Sequence, residues 1–165
     1  MDTFDCIATK LDVREFSLEK VSDEVKSKVL EAARMTGTGL NTQHWRFIIV
    51  EEVENIKRLA QDSISGKWTS GANFAVIILT DPEHNFHMID AGRVAQNMQL
   101  VAWNFGVTSG LFTGLRENEL RRDFNIPKSL NPTVILGFGY PARKLVGRKN
   151  RQPLESLVHR ERFKE

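Results

Sequence analysis

The sequence predicts a layered fold of helices and strands, α/β or α+β, with helices on both sides of a largely buried sheet. Three observations carry that expectation. Two short runs, Trp45-Arg-Phe-Ile-Ile-Val50 and Phe74-Ala-Val-Ile-Ile-Leu79, are rich in β-branched and aromatic residues and read as buried strands. Stretches of helical period alternate with them. Finally, 165 residues with 41% hydrophobic and 27% charged positions suit one soluble domain over residues 1–165. At this length a chain buries on the order of 70% of its unfolded surface, enough to stand without a disulfide or metal staple.

Taken in order, a short N-terminal helix precedes Lys10. Ser22 is a suitable N-cap, with Asp23 and Glu24 in the first turn and Val25, Val29, Leu30 and Ala33 at helical spacing, so a helix is predicted over about 22–35. Gly37 and Gly39 bracket a loop before the first strand. Residues 52–64 return to helical period through Val53, Ile56, Leu59 and Ala60, and Asp81-Pro82 ends the second strand. Met88, Ala91, Ala95, Met98, Ala102 and Phe105 recur at intervals of 3, 4, 3, 4 and 3. With Val94 and Val101 widening that stripe, the helix over 88–105 is apolar around much of its circumference, and so is either central or packed on another subunit. Gly106 suits its C-terminal exit. A strand over 107–112, a short helix over 117–124 and a strand over 133–138 complete the pattern.

Lys and Arg total 23 against 21 Asp and Glu, a net charge of +2 that gives no general attraction for nucleic acid. The distribution is uneven: residues 142–165 hold 8 basic and 3 acidic side chains, a net +5. The lone Cys6 excludes an intramolecular disulfide and points to a reducing cytoplasm. His44, His84, His87 and His159 are scattered, so no metal site is expected, and His84 and His87 read as members of a solvated loop. The opening residues carry two acids before any apolar run, and the longest apolar stretch, Phe74 to Leu79, is far too short to span a bilayer; neither a signal peptide nor a membrane segment is expected.

Three patterns are candidates for chemistry. Lys10-Leu-Asp-Val-Arg14 places two cations four residues apart. Thr36-Gly-Thr-Gly-Leu-Asn-Thr-Gln43 combines backbone access with adaptable donors and acceptors. Arg148-Lys-Asn-Arg151 is a cationic cluster beyond the last strand. Singly, a charge cluster is an ordinary solvated surface and such a loop an ordinary turn. Together they supply anion neutralisation and hydrogen bonds around a ring, as a phosphorylated aromatic cofactor requires.

The order and spacing of these patterns resemble the FMN-dependent nitroreductase family over nearly the whole chain. That family has an N-terminal R-R-S-x-R-x-F segment and an A-R-x-[AS]-P-S-x-x-N-x-Q-P-W-x-F loop. Here the counterparts are Lys10-Leu-Asp-Val-Arg-Glu-Phe16 and Ala33-Arg-Met-Thr-Gly-Thr-Gly-Leu-Asn-Thr-Gln-His-Trp-Arg-Phe47, with Asn41-x-Gln43-x-Trp45-x-Phe47 the most specific match. Asp90 to Leu100 is similar to the family's central helix, Gly106 to Gly114 to the segment passing the flavin ring, and Gly137-Phe-Gly-Tyr-Pro-Ala142 with Arg151 to His159 to its ending.

The resemblance implies an α+β fold, a mixed β-sheet flanked by helices, and a homodimer with FMN in the interface and the C-terminal segment reaching over the partner. It further implies an oxidoreductase that passes hydride from NAD(P)H, a transient co-substrate, to nitroaromatic, quinone or flavin acceptors by ping-pong turnover. By position, Lys10, Arg14, Lys149 and Arg151 would bind the phosphate. Thr38, Gly39 and Asn41 would reach the flavin of the neighbouring subunit, Thr113 and Gly114 would lie at flavin N5, and Lys67 would support the pyrimidine edge. The flavin carries the redox chemistry, so no protein group is expected to be catalytic. Leu11, Asp12 and Gly37 depart from the family's Arg, Ser and Pro, removing one cation, adding an anion near the phosphate and loosening the loop. The connection between the second strand and the central helix is short, which implies an open flavin. A flavin-binding carrier or sensor with little turnover also fits these departures, and a nucleic-acid module would rest on the basic tail alone.

Overall fold

The computed structural model describes residues 1–163. Within them five α-helices, α1 (Thr3–Thr9), α2 (Asp23–Arg34), α3 (Val53–Gln61), α4 (His87–Asn104) and α5 (Glu117–Asp123), accompany four strands, β1 (Arg46–Val50), β2 (Phe74–Thr80), β3 (Thr108–Phe112) and β4 (Asn131–Gly139). The strands form one sheet in the order β1-β2-β4-β3, antiparallel at every junction. A parallel contact is added at its β3 edge, where Asp12 bridges Ser109.

Local chemistry accounts for the elements. Ser22 caps α2, its hydroxyl accepting from the Val25 N–H, and Asp2 caps α1 through the Asp5 N–H. In β2 every residue is buried because its two faces meet different layers. Phe74, Val76 and Ile78 face α2 and α4, packing with Val29, Ala33, Val94, Met98 and Phe138. Ala75, Ile77 and Leu79 face α3 and α5, packing with Leu59, Leu120 and Ile135. A two-sided strand loses the polar alternation of a surface strand, which is why its sequence is a continuous apolar run. Phe74 and Phe138, paired across β2 and β4, stack with centroids 4.7 Å apart. Helix α4 lies on the sheet through Ala91, Val94, Ala95, Met98 and Ala102, leaving Met88, Ile89 and Phe105 exposed. No helix among the described residues is long and apolar enough to cross a membrane.

One packing detail sets up the site. A 3-10 turn, Lys67–Gly71, delivers Trp68 onto the sheet over the paired glycines Gly110 of β3 and Gly137 of β4. A Cβ on Gly110 would fall 2.6 Å from the Trp68 ring and 2.9 Å from the Val13 carbonyl oxygen, so only glycine admits the indole at this depth. Replacing Gly110 with alanine is expected to cost about 1–3 kcal/mol, because the backbone of Val13 cannot yield as a side chain can. Urea denaturation reads that loss; an unchanged midpoint would mean that Trp68 is free to slide.

Candidate cofactor site

The N-terminal segment runs along the free edge of β3, the Val13 N–H donating to the Ser109 carbonyl at 2.9 Å. The start of the basic tail returns beside it: Ala142 N–H bonds the Glu15 carbonyl, Phe16 bridges Pro141, and Arg143 pairs with Glu15 at 3.2 Å. Between the two strands of chain lies a cleft of about 650 Å³ lined by residues 11–15 and 141–146, which include Arg14, Arg143 and Lys144. Arg143 and Lys144 were not singled out by sequence; their only signal was membership of the basic tail.

The sequence-predicted cations behave differently from one another. Lys10 is 7% exposed and donates to Asp12 at 2.5 Å, and Asp12 also accepts from Gln99 Nε2 at 3.4 Å. The anion that replaces the family's serine therefore neutralises the first cation. Arg14 is exposed and holds its guanidinium over the Trp68 ring, 5.8 Å from the centroid. Trp68 also packs on Phe16 and edge-on against Phe112. Its indole N–H is buried without a hydrogen-bond partner among the described residues, as is the neighbouring Thr69 hydroxyl. Lys149 Nζ reaches the Ile7 carbonyl at the end of α1, one turn from Lys10. Arg151 is exposed and bonds the carbonyl of Asn150, away from the cleft. Lys67 is exposed beside Lys57 at the start of the Trp68 turn. Thr113 is exposed, and the Gly114 carbonyl accepts the Ile64 N–H at 2.8 Å, which ties the end of β3 to that turn.

The Thr38–Gln43 loop forms a second locus. Its backbone is left-handed at three non-glycine residues, Leu40, Asn41 and Gln43, a conformation that persists only where surroundings impose it. The Thr38 hydroxyl meets that of Thr42 at 3.1 Å and accepts the Gln43 N–H. Asn97 of α4 donates to the Thr36 hydroxyl at 2.8 Å. The Gly39 N–H donates to Asp90 Oδ2 at 2.9 Å, and His44 Nε2 meets the same oxygen at 3.2 Å. Far from being loosened at Gly37, the loop is tied to α4 on both sides of it. Asp90 is 1% exposed. Burial alone would push its carboxyl up, but the Gly39 N–H, His44 and Arg93 together hold it below the ordinary carboxylate range. Nor are His84 and His87 merely solvated. His84 stacks on Phe86 and sits 5.0 Å from the His44 ring, and His87 Nδ1 meets the Thr80 hydroxyl at 2.9 Å.

The two loci stand apart within one chain. Gln99, which meets Asp12, and Asp90, which holds the loop, are nine residues apart on α4, or about 13.5 Å along its axis.

Comparison with known proteins settles the relationship. The family model described as the nitroreductase family matches residues 7–79 and 64–140. The chain belongs to the nitroreductase family. A relative from Methanothermobacter thermautotrophicus, named as an NADH dehydrogenase/NAD(P)H nitroreductase, is 27% identical over 86% of this chain and 78% of its own. The FMN reductase (NAD(P)H) of Bacillus subtilis is 25% identical over 92% of this chain and 70% of its own. In fold, an FMN-dependent nitroreductase from Clostridium difficile R20291 superposes with a TM-score of 0.90 at 20% identity, covering 98% of this chain and 100% of that one. The nitroreductase match ends at residue 140, so the cations of the tail lie beyond it.

The depressed Asp90 carboxyl fixes the sign of a pH effect. Its ionised form is the one stabilised by folding, so its contribution is complete above about pH 4, the ordinary carboxylate value, and is lost as pH falls through the lower folded value. Asp90→Asn is expected to cost about 1.5–3 kcal/mol at pH 7. Urea melts of the two proteins should converge as the solution is acidified below pH 4; a constant gap would remove Asp90 as the source.

Proposed function

We propose that this nitroreductase-family protein is an NAD(P)H-dependent flavin oxidoreductase that holds FMN between two copies of the chain and reduces small, planar acceptors of the nitroaromatic, quinone or flavin type. The observation that carries the reading is the return of the basic tail onto the N-terminal segment, which puts Arg14, Arg143 and Lys144 around one cleft. Its donor chemistry fits FMN: guanidinium and ammonium groups suit a phosphate carrying about −1.5 to −2 charges near pH 7. The ring of Trp68, seated on the buried Gly110 and Gly137, adjoins that cleft through Arg14. The names of the Methanothermobacter and Bacillus relatives support NAD(P)H as the reductant and the latter supports FMN.

FMN held there would supply the redox chemistry, hydride transfer from NAD(P)H and onward reduction of a second substrate. The chain's own residues bind and orient. Arg14, Arg143 and Lys144, with Lys10 where Asp12 releases it, neutralise the phosphate in this cleft, and Lys149 and Arg151, which lie off it in their own chain, serve the phosphate held with a second copy. Thr113 and Gly114 border the reacting edge, and Lys67 places a positive charge where reduction leaves a negative one. Thr38, Gly39 and Asn41, displaced along α4 from the cationic cleft, serve the site of a second copy, so one protomer completes the other's. The connection from β2 to α4 is only Asp81–Phe86 and folds back on His44, leaving acceptor access broad.

Purified protein reconstituted with FMN should stay yellow through desalting and oxidise NAD(P)H only with an acceptor present, giving parallel double-reciprocal lines; a colourless, inactive protein would overturn the reading. Flavin retained without rapid bleaching by NAD(P)H would favour a carrier. Asp12→Ser, by releasing Lys10, is expected to tighten FMN binding by up to about tenfold while lowering the thermal midpoint, since a buried ammonium loses its carboxylate, and Arg151→Ala to weaken FMN binding by about tenfold without change in thermal midpoint. Fluorescence titration of FMN reads both.

A further inference from the structure

We propose that His44 is a positioning residue for flavin binding: with Asp90 it latches the left-handed Thr38–Gln43 loop in the form that meets the cofactor. This rests on the reading above only in assigning the loop to flavin.

The hydrogen bonds define the tautomer. The Asp81 N–H donates to His44 Nδ1 at 3.4 Å, so Nδ1 is an acceptor and the ring proton sits on Nε2, which donates to Asp90 Oδ2 at 3.2 Å. Both side chains are 2% exposed. The same carboxylate oxygen takes the Gly39 N–H at 2.9 Å. Asp90 Oδ2 is thus shared between the loop's backbone and His44, while Oδ1 accepts from Arg93 at 3.3 Å. His44 ends the strained segment and leads into β1 through Trp45, so its ring fixes one end of the loop and Gly39 the other.

Without the Nε2 donor the segment loses its anchor at the β1 end, and with it the geometry that keeps Leu40, Asn41 and Gln43 left-handed.

The test uses two replacements in the full-length, FMN-reconstituted protein. His44→Gln keeps an N–H near the Nε2 position; His44→Asn is too short to reach Asp90. In His44→Asn the FMN dissociation constant should rise about tenfold or more, and amide exchange of the 38–43 loop, followed without FMN by mass spectrometry, should accelerate by a similar factor. In His44→Gln both should stay within about threefold of the parent. Unchanged loop exchange in His44→Asn overturns the latch. Faster exchange with unchanged FMN affinity overturns its role toward flavin. Should His44→Asn not fold, His44→Phe, which keeps a ring in place but offers Asp90 no donor, takes the same two readings, and unchanged loop exchange in it overturns the proposal. Failure of the parent to retain FMN is seen before any variant is made and counts against the flavin reading, while loop exchange still judges the latch.

Discussion

A central strand with no solvent-facing side dictates this architecture. Both faces of β2 are buried, so two layers of helix are obligatory, and neither layer alone would stabilise the sheet. Complete burial of Phe74 through Ile78 is worth roughly 1.5–3 kcal/mol for each large side chain, before the ordering cost of the chain is charged against it. The helices differ in what they bring. α2 and α4 supply small residues, Ala33, Ala91, Ala95 and Ala102, that let their axes approach the sheet closely. α3 and α5 are short, and the layer they form is completed by the Trp68 turn. The functional loci fall at the seams of this sandwich: one along the free edge of β3, the other where the loop before β1 crosses the first turn of α4.

At the first seam, packing and electrostatics are coupled. Two glycines at one register position remove the side chains that would otherwise cover the sheet, and Trp68 occupies the space. Its exposed flank then gives Arg14 an aromatic surface to lie on, so a flexible cation becomes a partly ordered one without an acidic partner. That matters because the acids here are already engaged: Asp12 holds Lys10 and Glu15 holds Arg143. A cation that is positioned by a ring keeps its charge available to a ligand, whereas one paired with a carboxylate has first to exchange that partner for the ligand.

Most elements were legible because their signals are local. Ser22 and the acids that follow announce α2, and the helix begins at Asp23. The apolar runs fix β1 and β2 to within a residue. The 3-10 turn at Lys67–Gly71 was not legible, since its conformation comes from the landing of Trp68 on glycines more than forty residues away in sequence. The family resemblance located the Thr38–Asn41 loop and the N-terminal cations, but not the ion pairing of Lys10, which depends on the turn between Lys10 and Asp12. His44 was discounted as one of four scattered histidines. A signal did exist: Asp90 is in register with Val94 and Met98 on the buried face of α4, and an acid there must find partners. The sequence could not say that one of them is 46 residues upstream. For the tail beyond Tyr140, charge was readable but position was not, because it carries no periodicity and takes its course from contacts with residues 7–16.

The separation of the two seams supports the proposal that two copies of the chain share one site. The carboxylate that fixes the loop and the amide that meets Asp12 are on one rigid helix, so their spacing of about 13.5 Å cannot close by flexing. A phosphorylated ring compound bound at the β3 edge therefore receives nothing from its own Thr38–Asn41 loop unless it spans that distance. A two-fold arrangement removes the conflict, since each loop then faces a different cleft while remaining tied to its own α4. Exposed Met88 and Ile89 on the first turn of that helix, and Phe105 at its end, leave apolar surface at both extremities for such a contact. In that proposed geometry the Asp90–His44 pair would hold a loop of one protomer for the ligand of the other, with α4 as the rigid element between them.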